Sequence, residues 1–121
     1  MAVEDALTMT ADAVLDFTQE RGDTALEKLQ AAINIDPLCF NAWLARAEIF
    51  YGMRDLENAL NAAERAQEID PNDVHVHTTL SRIWIEKGDK KKAEKYSLRA
   101  RMLGWKEQIK NNKKTCTVSS N

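Results

Sequence analysis

The histidines and cysteines are the residues of this sequence best suited to binding a metal ion or acting as a nucleophile. The histidines are His75 and His77, and the cysteines are Cys39 and Cys116. Two positions apart on a helix, side chains point about 200° away from each other, so the histidine pair is not expected to chelate one ion. The sequence also lacks the clustered Cys, His or carboxylate ligands that zinc or iron needs. We therefore expect no metal site and no cofactor.

The remaining reactive groups form no catalytic pattern. Asp12 and Asp16 are neighbours on a predicted helix face, but such carboxylate pairs are common on protein surfaces and do not indicate acid–base catalysis. Cys39 is interpreted as a small apolar residue just before a helix, and Cys116 lies in a polar segment that allows oxidation or disulfide-linked dimers. The sequence has no Gly-rich phosphate loop and no Ser/His/Asp arrangement. These features predict a protein that is not an enzyme.

Composition favours a single helical domain. The 121 residues are 44% hydrophobic and 30% charged, with four glycines and two prolines, and a chain of this length supports one domain. No apolar stretch approaches the ~20 residues of a membrane span, and the acidic N-terminus is unlike a signal peptide. Two cysteines are too few for a disulfide framework, so a reducing, cytoplasmic location is expected.

The net charge of −2 conceals a segregation of sign along the chain. Residues 1–86 contain 16 acids and 6 bases, whereas residues 87–114 contain 11 bases and 3 acids. The simplest interpretation is a solvated Lys-rich surface, since charge runs usually face water. Two alternatives are a basic face that binds nucleic acid or an anionic surface, and head-to-tail self-association between the oppositely charged ends of two copies.

Equivalent residue types return at a fixed interval along the chain. Five series of positions share this interval, which is the signature of a repeat architecture. The five series are Ala25, Ala59 and Ala93; Ala32, Ala66 and Ala100; Ile35, Ile69 and Leu103; Asp36-Pro37 and Asp70-Pro71; and Phe50 and Trp84. We call the interval from Ala25 to Ala59 the repeat period.

Each period contains two apolar stripes at helical spacing, which predict a pair of antiparallel helices. In the second period one stripe is Trp43, Ala47 and Phe50, and the next runs from Leu56 to Ala66. A helix of about 14 residues cannot bury its stripe alone, so the pairs are expected to stack. The predicted fold is all-α: an α-solenoid of three stacked antiparallel helix pairs, with a short C-terminal cap or tail.

Turn residues predict where these helices begin and end. Gly52 is expected to adopt the left-handed conformation after one helix, and Asp55 to cap the next. The Asp-Pro pairs are expected to separate one repeat from the next, because proline disfavours helix at the preceding residue. In the first repeat, Thr24 is expected to open the second helix through a capping box. The first helix is expected to bury these apolar residues: Leu7, Ala11, Val14, Leu15 and Phe17.

The C-terminal segment is predicted to close the stack. Gly104 is expected to end the last helix, and Trp105 and Ile109 to cover the end of the last pair, because terminal repeats need a cap. From residue 111 the composition is polar and predicts disorder. The predicted organisation is a repeat domain at 1–110, with repeats at about 6–37, 40–71 and 74–105, and a tail at 111–121.

These positions resemble the tetratricopeptide repeat. That family has an aromatic residue early in the first helix, a small residue four later, an aromatic three after that, then two alanines and a terminal proline. The second period supplies all six, as Trp43, Ala47, Phe50, Ala59, Ala66 and Pro71. The third period supplies most of them, whereas the first matches mainly in its second helix. The resemblance covers about residues 6–105.

The resemblance implies a right-handed superhelix whose first helices line a concave groove that holds peptides or helices of partner proteins. Transferred residue by residue, the expected groove positions are Asp12, Asp16, Leu44, Glu48, Tyr51, His75, Thr78, Arg82 and Glu86. This set is mildly acidic with apolar spots, so a basic or amphipathic segment is the expected ligand.

One subgroup of this family grips the acidic C-terminal tails of heat-shock chaperones with Lys, Asn and Arg side chains. The corresponding positions here are Met9, Ala13, Ala45, His75 and Thr79, none of which holds a carboxylate as Lys or Arg would. Chaperone tails are therefore disfavoured. The sequence predicts a non-enzymatic scaffold that binds an unidentified protein or peptide. Nucleic acid is a less favoured partner, because the recurring aromatics are needed in the core.

Overall fold

A computed structural model describes the backbone of residues 2–18 and 22–119, and the side chains of residues 6–15, 17 and 22–109. Over this part of the chain the secondary structure consists of six helices. They are α1 (Ala2–Thr18), α2 (Gly22–Ile35), α3 (Phe40–Gly52), α4 (Leu56–Ile69), α5 (Val74–Glu86) and α6 (Lys90–Ser119). Every one of these helices is too short or too polar to cross a membrane.

The six helices pack as three consecutive hairpins. The strongest packing joins α1 to α2, α3 to α4 and α5 to α6, and each hairpin contacts the next through α2 with α3 and α4 with α5. The all-α solenoid of stacked helix pairs predicted from the repeat period is therefore confirmed. The helix pairs stack because each one leaves an apolar surface that the following pair covers.

The core is built largely from alanine. One buried cluster joins the first hairpin to α3 and includes Ala6, Ala25 and Ala32, and a second joins α3, α4 and α5 and includes Ala59 and Ala66. Because alanine has the smallest apolar side chain, these positions let the helix axes approach closely. The predicted fillers Trp43, Phe50 and Trp84 are half-buried at the edges of the core.

The turns between repeats have the same hydrogen bonds at equivalent positions of the period. Asp36 accepts from the amide of Leu38, and Asp70 accepts from the amide of Asn72. Trp43 Nε1 donates to the carbonyl of Pro37 over 2.9 Å, and in the next repeat His77 Nε2 lies 2.7 Å from the carbonyl oxygen of Pro71. His77 thus takes the structural place of a tryptophan, and the repeat is preserved in hydrogen bonding as well as in residue type.

The helix starts are capped largely as the sequence predicts. Asp55 accepts from the amide of Asn58, and Asp89, at the equivalent position of the next repeat, accepts from the amide of Lys92. Cys39 lies at the N-cap of α3, is buried and makes no side-chain cap. Helix α2 begins at Gly22 rather than near Thr24, so the predicted capping box lies inside the helix.

The sequence predicts that Gly52 adopts the left-handed conformation, and this prediction is wrong. Arg54 has a φ of 66° and Gly88 a φ of 85°, and these two residues occupy equivalent positions in successive repeats. Gly52 instead ends α3 where the ring of Phe17 packs against it, and a Cβ at position 52 would overlap that ring. Gly52 therefore permits a close approach of α1, which the spacing of turn residues did not reveal.

The first helix buries a different face from the predicted one. Leu7, Val14 and Leu15 are exposed, with 42%, 43% and 56% of their surface accessible, and Ala11 is exposed as well. The buried residues are Ala6, Thr10 and Ala13, with Thr10 donating its hydroxyl to the carbonyl of Ala6. Of the five predicted residues only Phe17 packs against the core. The prediction was wrong for the other four, because small residues pack against α2 and α3 while Leu7, Val14 and Leu15 face outward.

The last helix does not end at Gly104. It continues to Ser119, over residues for which the composition predicts disorder, because a single glycine costs a helix only about 1 kcal/mol. Trp105 and Ile109 keep 66% and 45% of their surface exposed and so do not cover the end of the stack. Cys116 lies in this helix, outside the residues whose side chains are described.

Replacing Arg54 by glycine is expected to stabilise the fold. A non-glycine residue at positive φ is strained by about 1 kcal/mol, whereas the exposed ion pair of Arg54 with Glu86 contributes little. Urea unfolding should show a free energy of unfolding higher by about 0.5–1 kcal/mol. Arg65→Gly, in the interior of α4, is the matched control and should lower it by about 1 kcal/mol.

Replacing Gly52 by alanine should destabilise the chain by about 1–3 kcal/mol, because the added methyl group displaces the Phe17 ring from between α1 and α3. Gly104→Ala provides the control, since a Cβ at position 104 meets open space and should stabilise α6 by about 0.5–1 kcal/mol. Equal effects of the two substitutions in urea unfolding would contradict the packing described for Gly52.

Candidate functional site

The contacts between repeats bend the stack toward its first helices. Helix α1 contacts α3, and α3 contacts α5, whereas within the described residues α2 does not contact α4 and α4 does not contact α6. The first helices of successive repeats are therefore closer together than the second helices. A stack with this asymmetry curves, and its concave side is formed by α1, α3 and α5.

The middle of this concave side carries a charged group of three residues from two helices. Glu48 of α3 lies close enough to Arg82 and His75 of α5 for their charges to act on its carboxylate. All three side chains remain accessible to solvent. Desolvation by the surrounding protein raises the pKa of Glu48, and the charges of Arg82 and His75 lower it by a smaller amount. The structure thus brings together three of the residues predicted for the groove.

Half-buried residues surround this charged group. Leu44 and Tyr51 of α3 pack against the second core cluster with part of their surface exposed. Thr78 of α5 is also half-buried and donates its hydroxyl to the carbonyl of Val74. These positions provide an apolar floor on either side of Glu48, of the kind that receives the apolar face of a helix.

The register of α1 follows from its buried residues. The spacing of the buried residues Ala6, Thr10 and Ala13 is the same as that of Trp43, Ala47 and Phe50. When the two sets are matched, the first helices of the first two repeats are three positions further apart in sequence than one repeat period. In this register the concave positions of α3, namely Leu44, Glu48 and Tyr51, correspond in α1 to Leu7, Ala11 and Val14.

Two contacts join successive repeats. Phe17 packs on Gly52 between the first two repeats, and Arg54 pairs with Glu86 over 3.2 Å between the second and third. In the register of α1 given by its buried residues, the exposed Asp12 falls on the outer end of the stack, and the side chain of Asp16 lies outside the described residues.

On α5, the position equivalent to Tyr51 is Ile85 rather than the predicted Glu86. Ile85 has 60% of its surface exposed, and Glu86 is engaged by Arg54 at the edge of the face. From here, the concave groove denotes nine positions on the three first helices. They are Leu7, Ala11 and Val14 of α1, Leu44, Glu48 and Tyr51 of α3, and Thr78, Arg82 and Ile85 of α5.

The groove residues that sequence reasoning missed are apolar. The first helix carries few of the residue types that mark the repeat, so its register could not be read from them. The available signal was the spacing of Leu7, Ala11 and Val14, which is the same as that of Leu44, Glu48 and Tyr51. Those α1 residues were assigned to the core instead, because large apolar residues are usually buried.

The other chemically interesting side chains lie away from the groove. His77 is fully buried, with its ring stacked on Tyr96 and its Nδ1 without a hydrogen-bond partner. Cys39 is a free, buried thiol. Among the described residues there is no group of three or more His, Cys, Asp or Glu side chains that could hold a metal ion.

The positions that correspond to the side chains gripping a chaperone tail, which we call the clamp positions, are mostly inside the protein. Ala13, Ala45 and Thr79 are buried, with 0%, 6% and 4% of their surface accessible. In the register of the structure, the α1 residue equivalent to Ala45 is Thr8, which also carries no charge. The concave side therefore presents no cationic clamp for a carboxylate at these positions.

Comparison with known families agrees with this architecture. The tetratricopeptide repeat family matches residues 40–73, which run from the start of α3 to the turn before α5. This span therefore matches one tetratricopeptide repeat (TPR). No curated protein matches the sequence at a significant level.

Solved structures with the TPR fold resemble the whole stack. A crystal structure of MamA superimposes with a TM-score of 0.82 at 19% identity, covering 90% of this chain and 63% of MamA. The Yersinia enterocolitica type III secretion translocator chaperone SycD superimposes with a TM-score of 0.81 at 16% identity, covering 96% of this chain and 88% of SycD. The first TPR domain of Spaghetti (RPAP3), bound to an HSP90 peptide, superimposes with a TM-score of 0.81 at 15% identity. The match covers 98% of this chain and 96% of that domain.

These likenesses describe the fold and not the ligand. The chain spans less than two thirds of the length of the MamA structures, and the identities are below the level at which binding residues are retained reliably. What the concave groove of this chain can bind must therefore be argued from its own side chains.

The pKa of Glu48 leads to a prediction about stability. Because desolvation raises this pKa above the ordinary value of 4.5, the folded state holds the proton to a higher pH than the unfolded state. Ionisation of Glu48 therefore lowers the stability of the folded protein. The loss begins as the pH rises above the pKa of Glu48 in the unfolded state and is complete above its pKa in the folded state. Glu48→Gln should raise the free energy of unfolding at pH 7, and the gain should vanish below about pH 4.

The matched control for this measurement is Glu64→Gln, which removes the same charge from an exposed position on α4, outside the groove. Chemical unfolding at several pH values would compare the two variants with the wild type. A stabilisation by Glu64→Gln equal to that by Glu48→Gln would mean that net charge, rather than desolvation in the groove, is responsible.

Proposed function

We propose that this protein is a non-enzymatic interaction module whose concave groove binds an amphipathic, basic helix of a partner protein. The observation that carries the proposal is the charge and polarity of the groove. A partly desolvated carboxylate, Glu48, lies between apolar positions on α1, α3 and α5. A cation from the ligand would restore favourable interactions to Glu48, and an apolar helix face would cover Leu44 and Tyr51.

The apolar ends of the groove define the ligand further. Leu7 and Val14 lie at one end and Ile85 at the other, each with more than 40% of its surface exposed. Exposed apolar residues clustered on one surface mark interaction sites. A ligand with an apolar stripe along its length and basic residues beside the stripe would match this arrangement, whereas an acidic tail would not.

The alternative of a basic face for nucleic acid receives less support from the structure. Lys87 pairs with Glu57 and lies over the ring of Trp84, and Lys92 lies 4.2 Å from the centre of the same ring. These cations are partly used within the fold. Trp84 is correspondingly covered, which leaves it poorly placed to stack on a base.

Two synthetic peptides of about 16 residues, one of Leu and Lys and one of Leu and Glu in the same amphipathic pattern, would test the proposal. Fluorescence anisotropy should show the Lys peptide binding at least about tenfold tighter than the Glu peptide, a difference of about 1.4 kcal/mol. The double variant Glu48→Lys with Tyr51→Ala should lose this binding, because it reverses the central charge and removes the apolar floor.

Glu64→Lys makes the same charge reversal on the far side of the stack and should bind the Lys peptide nearly as well as the wild type. Circular dichroism of each variant would show whether the helices are retained. Equal binding of the two peptides, or equal losses for the groove variant and the Glu64 control, would overturn the proposed role of the groove.

A further inference from the structure

The last helix carries an apolar stripe that faces solvent. Leu98, Met102, Trp105 and Ile109 recur at intervals of four, three and four residues, which places them along one side of α6. Between 45% and 66% of the surface of each is exposed. We call these four residues the α6 stripe. A contiguous stripe of this size on a helix is the pattern of a surface that packs against something.

No other part of the described chain covers the α6 stripe. Among the other helices α6 contacts α5 alone, and α5 has 13 residues against 30 in α6. Among the side chains of α6 that the structure describes, the last buried one is Ala100, and from Trp105 to Ile109 every side chain is exposed. The part of α6 after Gly104 extends for about 22 Å, and a helix of this length is marginal in water without tertiary packing.

Basic residues lie beside the α6 stripe. Lys95, Arg99 and Lys106 are each three positions before a stripe residue and therefore lie next to it on the helix surface. Helix α6 as a whole contains ten bases and two acids. An apolar stripe with flanking cations is the chemistry that the proposed function assigns to the ligand of the concave groove.

We propose that the α6 stripe of one copy occupies the concave groove of a second copy. This inference rests on the proposed function of the groove and names its ligand. The α6 stripe would pack on the apolar groove positions of α1, α3 and α5, and Lys95, Arg99 or Lys106 would approach Glu48. Residues 1–86 contain 16 acids and 6 bases, so this part of a second copy attracts the strongly basic helix as a whole, while within the groove Arg82 offsets the charge of Glu48.

The same charges disfavour the simplest alternative, a symmetric dimer of two α6 helices. Pairing α6 with itself would place two strongly basic helices side by side, which opposes association. Docking α6 into a groove is instead a heterologous contact, in which each copy offers one surface and receives the other. Such contacts extend into chains or close into rings rather than stopping at a dimer.

Sedimentation velocity of the full chain and two single-surface variants would test this inference. Trp105→Glu disables the stripe and keeps the groove, and Val14→Arg disables the groove and keeps the stripe; both positions are exposed. The mass of the wild type should rise with concentration, and each variant alone should stay monomeric. An equimolar mixture of the two variants should form a 1:1 complex and grow no further. Glu107→Gln, two positions after Trp105 and therefore on the opposite face of α6, should behave like the wild type.

Other results would overturn the inference in distinguishable ways. A persistent wild-type monomer would remove it, and self-association of the Val14 variant would show that α6 pairs with α6. A fluorescent peptide of residues 95–114 provides a second measurement and should bind the Trp105 variant at least tenfold tighter than the Val14 variant. If the Leu/Lys peptide binds the groove but the 95–114 peptide does not, self-docking is wrong and the proposed function stands.

Discussion

Close approach of helices across alanine is the interaction on which the rest of this structure depends. Ala25, Ala32, Ala59 and Ala66 are completely buried, and a larger side chain at any of them would force the paired helices apart. Because alanine contacts set the spacing of the helices, the residue at the position of Trp43 and His77 is not needed to set it. The carbonyl of the preceding proline is what both side chains satisfy, while the alanine columns set the distance between helices.

The curvature of the stack follows from where these small contacts lie. Because the first helices of successive repeats touch and the second helices, where described, do not, the side chains of α1, α3 and α5 converge on one surface. Convergence brings Glu48 close to Arg82 and His75 and partly removes its carboxylate from water. The apolar residues at the ends of the groove remain exposed. Binding chemistry is thus a direct consequence of packing geometry.

The first and the last described helices depart from the regular repeat in different ways. Arg54 and Gly88 turn the chain at equivalent points in the second and third repeats, so the central architecture is regular. The first helix is displaced in register, and the last helix runs on past its partner. These irregular ends present Leu7 and Val14 at one side and the α6 stripe at the other. In repeat proteins the ends are where apolar surface must be covered or used.

The sequence by itself determined the number of repeats, the helix pairs and most turns, because the repeat period and the Asp caps are local features. It also predicted Leu44, Glu48, Tyr51 and Arg82 for the concave side, since the second and third repeats share one register. Only the tertiary structure decided which face of α1 is buried and how far α6 extends. A helix with small residues on one side and larger apolar residues on another can pack through either face, and the neighbouring helices make that choice.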